Sequence, residues 1–192
     1  MVAIEHGHLA INDLQNLTDP GIIEADFNFA LTDFSIDSVT ARQTEKLFYA
    51  TDLDLSFSNY NMKLADEIHR LRIGEIDVSS LEKLISIRDL QLFPDNRINI
   101  PEAMSRLKKT ELYRIKVPSL TLHRTDINTA FFNKKLIINH FSIVKPDIYL
   151  ELFGRIEKQE KKFDLAEFHD LLRNYLEHIE VGQIEAPDGQ LR

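Results

Sequence analysis

The histidines and carboxylates near the start of the sequence are the side chains best suited to metal or acid–base chemistry. His6 and His8 share one face of a predicted strand, with Glu5 beside them, and imidazole and carboxylate groups are common ligands of zinc and related metals. A structural zinc site needs about four ligands, however, and two histidines supply too few. We therefore interpret these residues as the solvent-facing side of a strand.

Other titratable residues do not form a recognisable site either. His123, His140, His169 and His178 have no partner at a diagnostic spacing, so we expect satisfied or exposed imidazoles. Paired carboxylates could serve acid–base catalysis or calcium binding, and the candidates are Asp33, Asp37, Asp52, Asp54, Asp77 and Asp89. No calcium-loop pattern occurs, and alternation with apolar residues favours the wet face of strands. No catalytic, metal-binding or cofactor-binding residue is predicted.

Motifs for nucleophilic catalysis and for phosphate binding are absent from the sequence. It has no cysteine and only six glycines, and neither G-x-S-x-G nor a glycine-rich phosphate loop occurs. The 23 Lys and Arg residues are scattered among 31 Asp and Glu residues, whereas a nucleic-acid groove needs clustered cations. We therefore predict a protein that is not an enzyme, uses no cofactor and does not bind nucleic acid.

Alternation of apolar and polar residues predicts long strands through most of the chain. In residues 46–64, Leu53, Leu55 and Phe57 alternate with polar residues, so one face of the strand is dry and the other wet. Such faces favour antiparallel pairing. Residues 22–37 show the same period, with a change of step at 32–33.

The alternation loses step at three further places with similar sequence. These are LRIGEIDV at 71–78, IKVPSLTL at 115–122 and IEVGQIEA at 179–186. One extra residue in a strand forms a β-bulge, which bends the strand, and glycine suits a bulge position that needs a positive φ. Gly74, Pro118 and Gly182 are the expected bulge positions. Recurring bulges predict a long, curved sheet whose apolar residues all face one interior.

Two segments with similar sequence predict a repeated hairpin. KLISIRDLQLFPD at 83–95 and KLIINHFSIVKPD at 135–147 each follow a slipped strand and end in Pro-Asp, and proline suits a strand end because it has no N–H to donate. The connection inside the hairpin differs between the copies. The Asp-Gly dipeptide at 188–189 predicts one more hairpin turn.

Two segments predict helices. In residues 163–179 the apolar residues form one stripe, and Asp164 and Glu167 are spaced as a capping box. This stripe favours packing on the sheet. Residues 101–112 begin with a proline suited to a first helical turn. Residues 154–162 are nearly all polar and predict a solvent-facing loop.

Together these elements predict an α+β, mainly β fold: a long curved antiparallel sheet with recurring β-bulges, groove- or half-barrel-like, packed by one or two helices. We expect a single domain over residues 1–192, with β structure at 1–99, a helix at about 101–111, β structure at 112–153, a helix at about 163–178 and β structure at 179–192. IEHGHL at 4–9 resembles IEAPDGQL at 184–191, which predicts a segment of a longer repeat array. No membrane span and no signal peptide are predicted within these residues.

The order of the strand motifs resembles that of a known family. The motifs are IExxxGxL, FSIDS (34–38), LDLSFSN (53–59), LRIGEIDVSS (71–80), LFPD (92–95), IKVPSLTL (115–122) and VKPDIYLE (144–151). In this order they resemble the AsmA-like and TamB-like envelope proteins of Gram-negative bacteria, particularly the Bacteroidetes-type repeats. The resemblance implies a periplasmic or cell-envelope location and a non-catalytic role in outer-membrane homeostasis. The helices and the polar loop at 154–178 depart from a purely β version of that family.

The resemblance also implies a β-groove with an apolar floor that binds or conducts lipid acyl chains. The candidate lipid-binding residues are Phe27, Phe29, Leu53, Leu55, Phe57, Ile85, Ile87, Leu120 and Leu122. The expected partners are lipid, other envelope proteins or further repeats of the same chain. One alternative is that these residues form a packed core under the helices. The corresponding alternative function is a structural or adhesive envelope module that acts as a spacer or as a scaffold for protein partners.

Overall fold

A computed structural model describes residues 1–11, 23–35, 47–64, 66–153, 177–188 and 190–191. The strands are β1 (Val2–Ile11), β2 (Ile23–Thr32), β3 (Asp52–Lys63), β4 (His69–Ser79), β5 (Leu84–Pro94), β6 (Glu111–Thr125), β7 (Lys135–Val144), β8 (Asp147–Leu152), β9 (His178–Glu185) and β10 (Gln190–Leu191), and the helices are α1 (Ile100–Leu107) and α2 (Ile127–Asn133). All ten strands belong to one open sheet. The predicted mainly β, α+β fold with a long, curved sheet is confirmed.

The strands follow one another across the sheet almost in chain order. The order is β1-β2-β3-β4-β5-β6-β7-β9, with β8 beside β6 and β10 beside β8. Every neighbouring pair from β1 to β7 is antiparallel, whereas β9 pairs with β7 and β10 pairs with β8 in parallel. A parallel neighbour requires a crossover connection, and residues 153–177 separate β8 from β9.

The repeated hairpin is present as β4–β5 and β6–β7. The β4–β5 connection is a tight turn, whereas α2 forms the β6–β7 connection, so the two connections differ as predicted. Pro94 ends β5 as expected. β7 ends at Val144, just before the second Pro-Asp, but β8 begins at Asp147 and continues the pairing of β7 with β6 in the same register.

The Asp-Gly dipeptide at 188–189 is not a hairpin turn, so that prediction is wrong. β9 is offset from β7 by 43 positions, as in Lys135 opposite His178, and β10 is offset from β8 by the same 43 positions, as in Asp147 opposite Gln190. β9 and β10 therefore run in one direction along one line of the sheet. Residues 186–188, which follow β9, interrupt this line.

Three rows of directly opposed residues cross the sheet. Row A is Ile4, Phe29, Leu55, Val78, Ile85, Leu122, Phe141 and Ile184; row B is Gly7, Phe27, Phe57, Ile76, Ile87, Leu120 and Ile143; row C is Ile11, Ile23, Met62, Leu71, Leu92, Ile115, Ile148 and Leu191. Only Gly7 among them is not a large apolar residue. Rows A and C both run from one edge strand to the other.

β2 shows that all three rows lie on one face. In β2 the residues of rows C, B and A are Ile23, Phe27 and Phe29, which are separated by even numbers of positions in a strand without a left-handed residue. Such residues project to the same side. Because directly opposed residues also share a side, the side carrying rows A, B and C is one apolar face, which we call the front face.

Every line of the sheet except β2 contains one extra residue between rows A and C. Here a line is a single strand, or two strands that continue one another, such as β7 and β8. The two rows are six positions apart in β2, from 23 to 29, but seven positions apart in all the remaining lines, as in Leu55 and Met62. The pairing register accordingly shifts on both sides of β2, between Ile4 and Gly7 in β1 and between Glu24 and Asp26 in β2. From β3 to β8 the register runs on without a shift, because all these lines contain the extra residue.

The extra residues lie side by side and form a break line across the sheet. Its members are Asn59, Gly74, Asp89, Pro118, Lys145 and Asp188. Asn59, Asp89, Lys145 and Asp188 have φ of 55°, 54°, 47° and 57°, in the left-handed region that costs a residue with a Cβ about 1–2 kcal/mol. The recurring slip is therefore shared by neighbouring strands from β3 onwards, whereas β2 does not have it.

Gly74 does not itself adopt a positive φ, so the predicted reason for its presence is wrong. A Cβ at Gly74 would lie 3.1 Å from the Cβ of the left-handed Asp89, and glycine thus leaves room for its neighbour. Pro118, opposite Asp89 on the other side, has no N–H that the irregular backbone would leave unpaired.

Gly182 lies on a second, shorter break line with Arg124 and Asn139. Arg124 has a φ of 53°, and a Cβ at Gly182 would approach the carbonyl oxygen of Asn139 to 2.8 Å. Glycine is needed here for close approach of two strands. The predicted slip at 32–33 is the end of β2, where Asp33 has a φ of 51°.

The helices differ from their predictions. α1 is present but ends at Leu107, because Lys108 is left-handed and β6 begins at Glu111. α2 was not predicted; Asp126 caps it by accepting a hydrogen bond of 2.9 Å from the N–H of Thr129. The predicted helix at 163–178 and the loop at 154–162 fall almost wholly outside the described residues, although His178 already belongs to β9.

Two small clusters of buried residues flank the sheet. Leu31, Ala50 and Leu53 form one with Phe29, Leu55 and Ile127 around it, and Ile68, Ala103, Met104 and Leu112 form the other around α1. Leu112 is three positions from Ile115 of row C, so α1 lies against the opposite, back face. α1 does not cover row C.

Candidate lipid-binding face

The nine predicted lipid-binding residues lie together on the front face. Register places Phe29 opposite Leu55, Phe27 opposite Phe57, Ile85 opposite Leu122 and Ile87 opposite Leu120, and Leu53 follows Leu55 along β3. Eight of the nine belong to rows A and B. Leu53 belongs to the buried cluster at the end of the sheet.

The same two rows contain residues that the prediction missed. They are Ile4, Ile76, Val78, Phe141, Ile143 and Ile184. The alternation of apolar and polar residues is visible in the sequence at these positions too. Only the strand register, however, shows that these residues continue the rows formed by the predicted residues. Row C, which lies beyond the break line, was missed entirely.

Most side chains of the front face are neither buried nor fully exposed. Phe27, Phe57, Ile85, Ile87 and Leu120 are half-buried, whereas Leu53 and Leu122 are buried, with 5% and 8% of their surface exposed. A closed core would bury nearly all such residues. Among the described residues, the middle of the front face is thus an incompletely covered apolar surface.

An aromatic cluster lies at the end of the front face near α2. The Phe48 ring packs edge-on to Phe29 of row A with centroids 5.8 Å apart, and Phe131 lies 5.3 Å from Phe48. Phe132 continues the series 5.2 Å from Phe131. Phe48, Phe131 and Phe132 are 43%, 57% and 44% exposed, so the apolar surface extends from row A onto this cluster.

A shallow cavity of about 430 Å³ lies along β1–β4 where row A begins. Its lining combines residues of row A with the polar residues that alternate with them, among them Asn28, Asp54, Ser56 and Asp77, and includes no residue of row B. Ligand pockets for small molecules are commonly about 300–1,000 Å³. The cavity is therefore of ordinary ligand-pocket size, but its partly polar lining does not extend the apolar front face.

Away from α1, the back face carries polar side chains and ion pairs. The guanidinium of Arg88 contacts the carboxylates of Glu75 and Asp77. Partial burial and the neighbouring charge of Glu75 raise the pKa of Asp77 despite Arg88. At the edge, hydrogen bonds from Asn59 and His8 lower the pKa of Asp26. These contacts satisfy polar side chains and bring no nucleophile next to a base.

The histidines do not form a metal site in the described parts of the chain. His123 and His140 do lie side by side on neighbouring strands, with ring centroids 5.6 Å apart, a proximity that sequence spacing did not reveal. Nε2 of His140 is 3.3 Å from Glu185, but at an angle unsuited to a hydrogen bond. No group of three or more potential ligands occurs among these residues. His169 and Asp37 fall outside them.

His69 is a buried histidine with a structural role. Its Nδ1 donates to Asp66 at 2.5 Å, and its Nε2 accepts from the backbone N–H of Tyr113 at 3.1 Å. The imidazole therefore accepts a hydrogen bond from the backbone of β6 near the place where β5 ends in Pro94. Burial would raise the pKa of Asp66, but hydrogen bonds from His69 and Ile68 outweigh it and lower the pKa to about 2.

No described helix combines the length and apolarity that crossing a bilayer requires. No protein-family model matches this chain, and neither the curated proteins nor the solved structures include a match. The family resemblance accordingly stays a prediction, and the geometry of the front face is the basis for any functional proposal.

Proposed function

We propose that the front face binds lipid acyl chains without catalysis, as a segment of an AsmA-like cell-envelope protein. The observation that carries the proposal is the continuity of the apolar rows. Rows A and C extend over eight neighbouring lines of the sheet, which at about 4.8 Å per strand gives about 34 Å. By comparison, the hydrocarbon layer of one bilayer leaflet is only about 15 Å thick.

The free energy available on such a surface is sufficient for binding. Burying one methylene group contributes about 0.8 kcal/mol, so a 16-carbon chain could gain on the order of 10 kcal/mol before ordering costs. No hydrogen-bonding group is required on the floor. Apolar surface and shape supply the affinity, which agrees with the absence of polar residues from rows A, B and C.

The break line has a clear role in this proposal. An unbroken strand with residues seven positions apart would place rows A and C on opposite faces. The extra residue brings both rows to the front face and widens the apolar surface along the strands. An incompletely covered surface of this size is what the acyl-binding proposal requires, whereas a spacer would be expected to fill its own interior.

Binding can be tested with a pair of variants that differ only in the face they alter. The double variant Ile87→Gln with Leu120→Gln changes two directly opposed residues of row B, whereas Ser86→Gln with Thr121→Gln changes the next directly opposed pair, which faces the other way. We expect the row B variant to lose at least tenfold in affinity for a fluorescent fatty acid. The control should bind as the unchanged protein does.

Organic extraction of the purified protein followed by mass spectrometry provides a second readout. The acyl-binding proposal expects fatty acid or phospholipid in the extract of the unchanged protein and a reduced amount in that of the row B variant. No bound lipid, together with equal probe affinity for both variants, would favour the structural or adhesive spacer instead.

A further inference from the structure

The two edge lines of the sheet are positional equivalents of one another. Six antiparallel pairings lead from β1 to β7, and β9 is parallel to β7, so β1 and β9–β10 run in the same direction. Row A contains Ile4 in one and Ile184 in the other, and row C contains Ile11 and Leu191. Both offsets are 180 positions.

The extra residue is also common to both edges. Ile4 and Ile11 are seven positions apart, as are Ile184 and Leu191, and each line has a left-handed residue in between, His6 in β1 and Asp188 before β10. This register equates Leu191 with Ile11, not with Leu9 as the similarity of IEHGHL and IEAPDGQL suggested. The sheet thus ends on the line with which it begins.

This equivalence identifies the strand that suits the free edge of β9–β10. β2 pairs with β1 on the side that faces into the sheet, and the corresponding side of β9–β10 is the outer edge, which has no strand partner among the described residues. Edge strands present unpaired N–H and C=O groups that can accept another strand. The large exposure of Ile184, at 61%, shows that row A is open there.

We propose that the outer edge of β9–β10 binds an antiparallel strand of β2 type from another repeat of the same kind. A β2-type strand is an unbroken extended segment with apolar residues at alternate positions, as in Ile23–Thr32. In the register of β1–β2, its equivalent of Phe29 lies opposite Ile184 and continues row A. The inference is independent of lipid binding.

The extra residue lies at different places in the two edge lines. In β1 the register shifts between Ile4 and Gly7, between rows A and B, whereas in β9–β10 the left-handed Asp188 comes after row B. Asp26 of an added β2 strand would therefore lie opposite Pro187, and the irregular pairing would fall between Asp26 and Ile23.

The experiment uses the full chain and a peptide of residues 23–32 with blocked ends. Bound peptide should slow hydrogen exchange at alternate backbone N–H groups of β9, at positions 181–185, and leave the outer edge of β1 unchanged. A scrambled peptide that lacks the period-two alternation should not protect β9.

A matched pair of protein variants locates the binding edge. Ile184→Ser removes the row A contact at β9, and Ile4→Ser removes the equivalent side chain at β1; the two are 61% and 48% exposed, and circular dichroism checks that both variants keep the fold. We expect about tenfold weaker binding for Ile184→Ser and none of that loss for Ile4→Ser. Equal losses for both, protection at β1, or no protection at β9 would overturn the proposal.

Discussion

Replacement of Asp89 by glycine and by alanine tests whether the break line exists. Asp89 is exposed and has a φ of 54°, which glycine adopts without strain and alanine adopts at a cost of about 1–2 kcal/mol. Aspartate is one of the residues that tolerate this region best among those with a Cβ. The order of stability should therefore be Asp89→Gly above Asp89→Ala, by about 1 kcal/mol.

A control two positions away should give the opposite order. Gln91 lies in the same strand in regular pairing with Arg72 and Lys116 and has no positive φ. Glycine within a regular strand is less stable than alanine by about 0.5–1 kcal/mol. At Gln91 we therefore expect Gln91→Ala to be more stable than Gln91→Gly, a reversal that differences in side-chain size cannot produce.

Urea unfolding of the four variants measures the two differences. A difference of about 1 kcal/mol corresponds to about 2–4 °C in Tm for a chain of this size, so thermal unfolding serves as a second measurement. If the glycine variant is less stable to unfolding than the alanine variant at both positions, Asp89 adopts an ordinary strand conformation. The account of the break line, and with it the placement of rows A and C on one face, would then be wrong.

Two other perturbations follow from the described contacts. The pKa of Asp66 is about 2 in the folded chain against an ordinary value of 3.8; its carboxylate therefore stabilises the fold above pH 3.8 by about 2 kcal/mol, and this stabilisation is lost as pH falls towards 2. Asp66→Asn should flatten that part of the curve of unfolding free energy against pH, and an unchanged slope would contradict the assignment. Gly182→Ala should accelerate hydrogen exchange in β9, since its Cβ would come within 2.8 Å of the carbonyl oxygen of Asn139. Gly74→Ala, whose nearest contact is 3.1 Å, should have a smaller local effect, and equal effects would argue against the close approach of β9 and β7.

The sequence predicted the strands and their dry faces well, because period-two alternation directly reports one-sided burial. It also located the interruptions at Gly74, Pro118 and Gly182. It could not show that the interruptions of neighbouring strands coincide, since register depends on pairing between distant segments. For that reason the bulge was assigned to single strands, and β2 was not recognised as the strand without the extra residue.

The failures at turns have a local cause. Pro146 and Asp147 match the Pro-Asp that ends β5, and Asp188 precedes a glycine as in many hairpins. The break line, however, passes through Asp188 and through Lys145, which directly precedes Pro146. Proline and left-handed residues suit a strand end and an interruption inside a strand equally well. The seven-residue α2 was missed because it is too short for a helical period to emerge.

For the candidate site, the sequence predicted the apolar character of the surface best. The nine predicted floor residues share one face because each belongs to the dry parity of its strand. The sequence did not predict the extent of the apolar surface along the strands. Row C lies across the break line, and its parity is opposite to that of row A in most strands. Without the register, rows A and C read as the two different faces of one sheet.

Photo-crosslinking from adjacent positions of β5 tests the central claim most directly. A photoreactive phenylalanine analogue at Ile87 projects from the front face, and the same analogue at Ser86 projects from the back face. After incubation with phospholipid vesicles and illumination, we predict lipid adducts by mass spectrometry at position 87 and none at position 86. Equal adducts at the two positions, or none at position 87, would contradict acyl-chain binding on the front face.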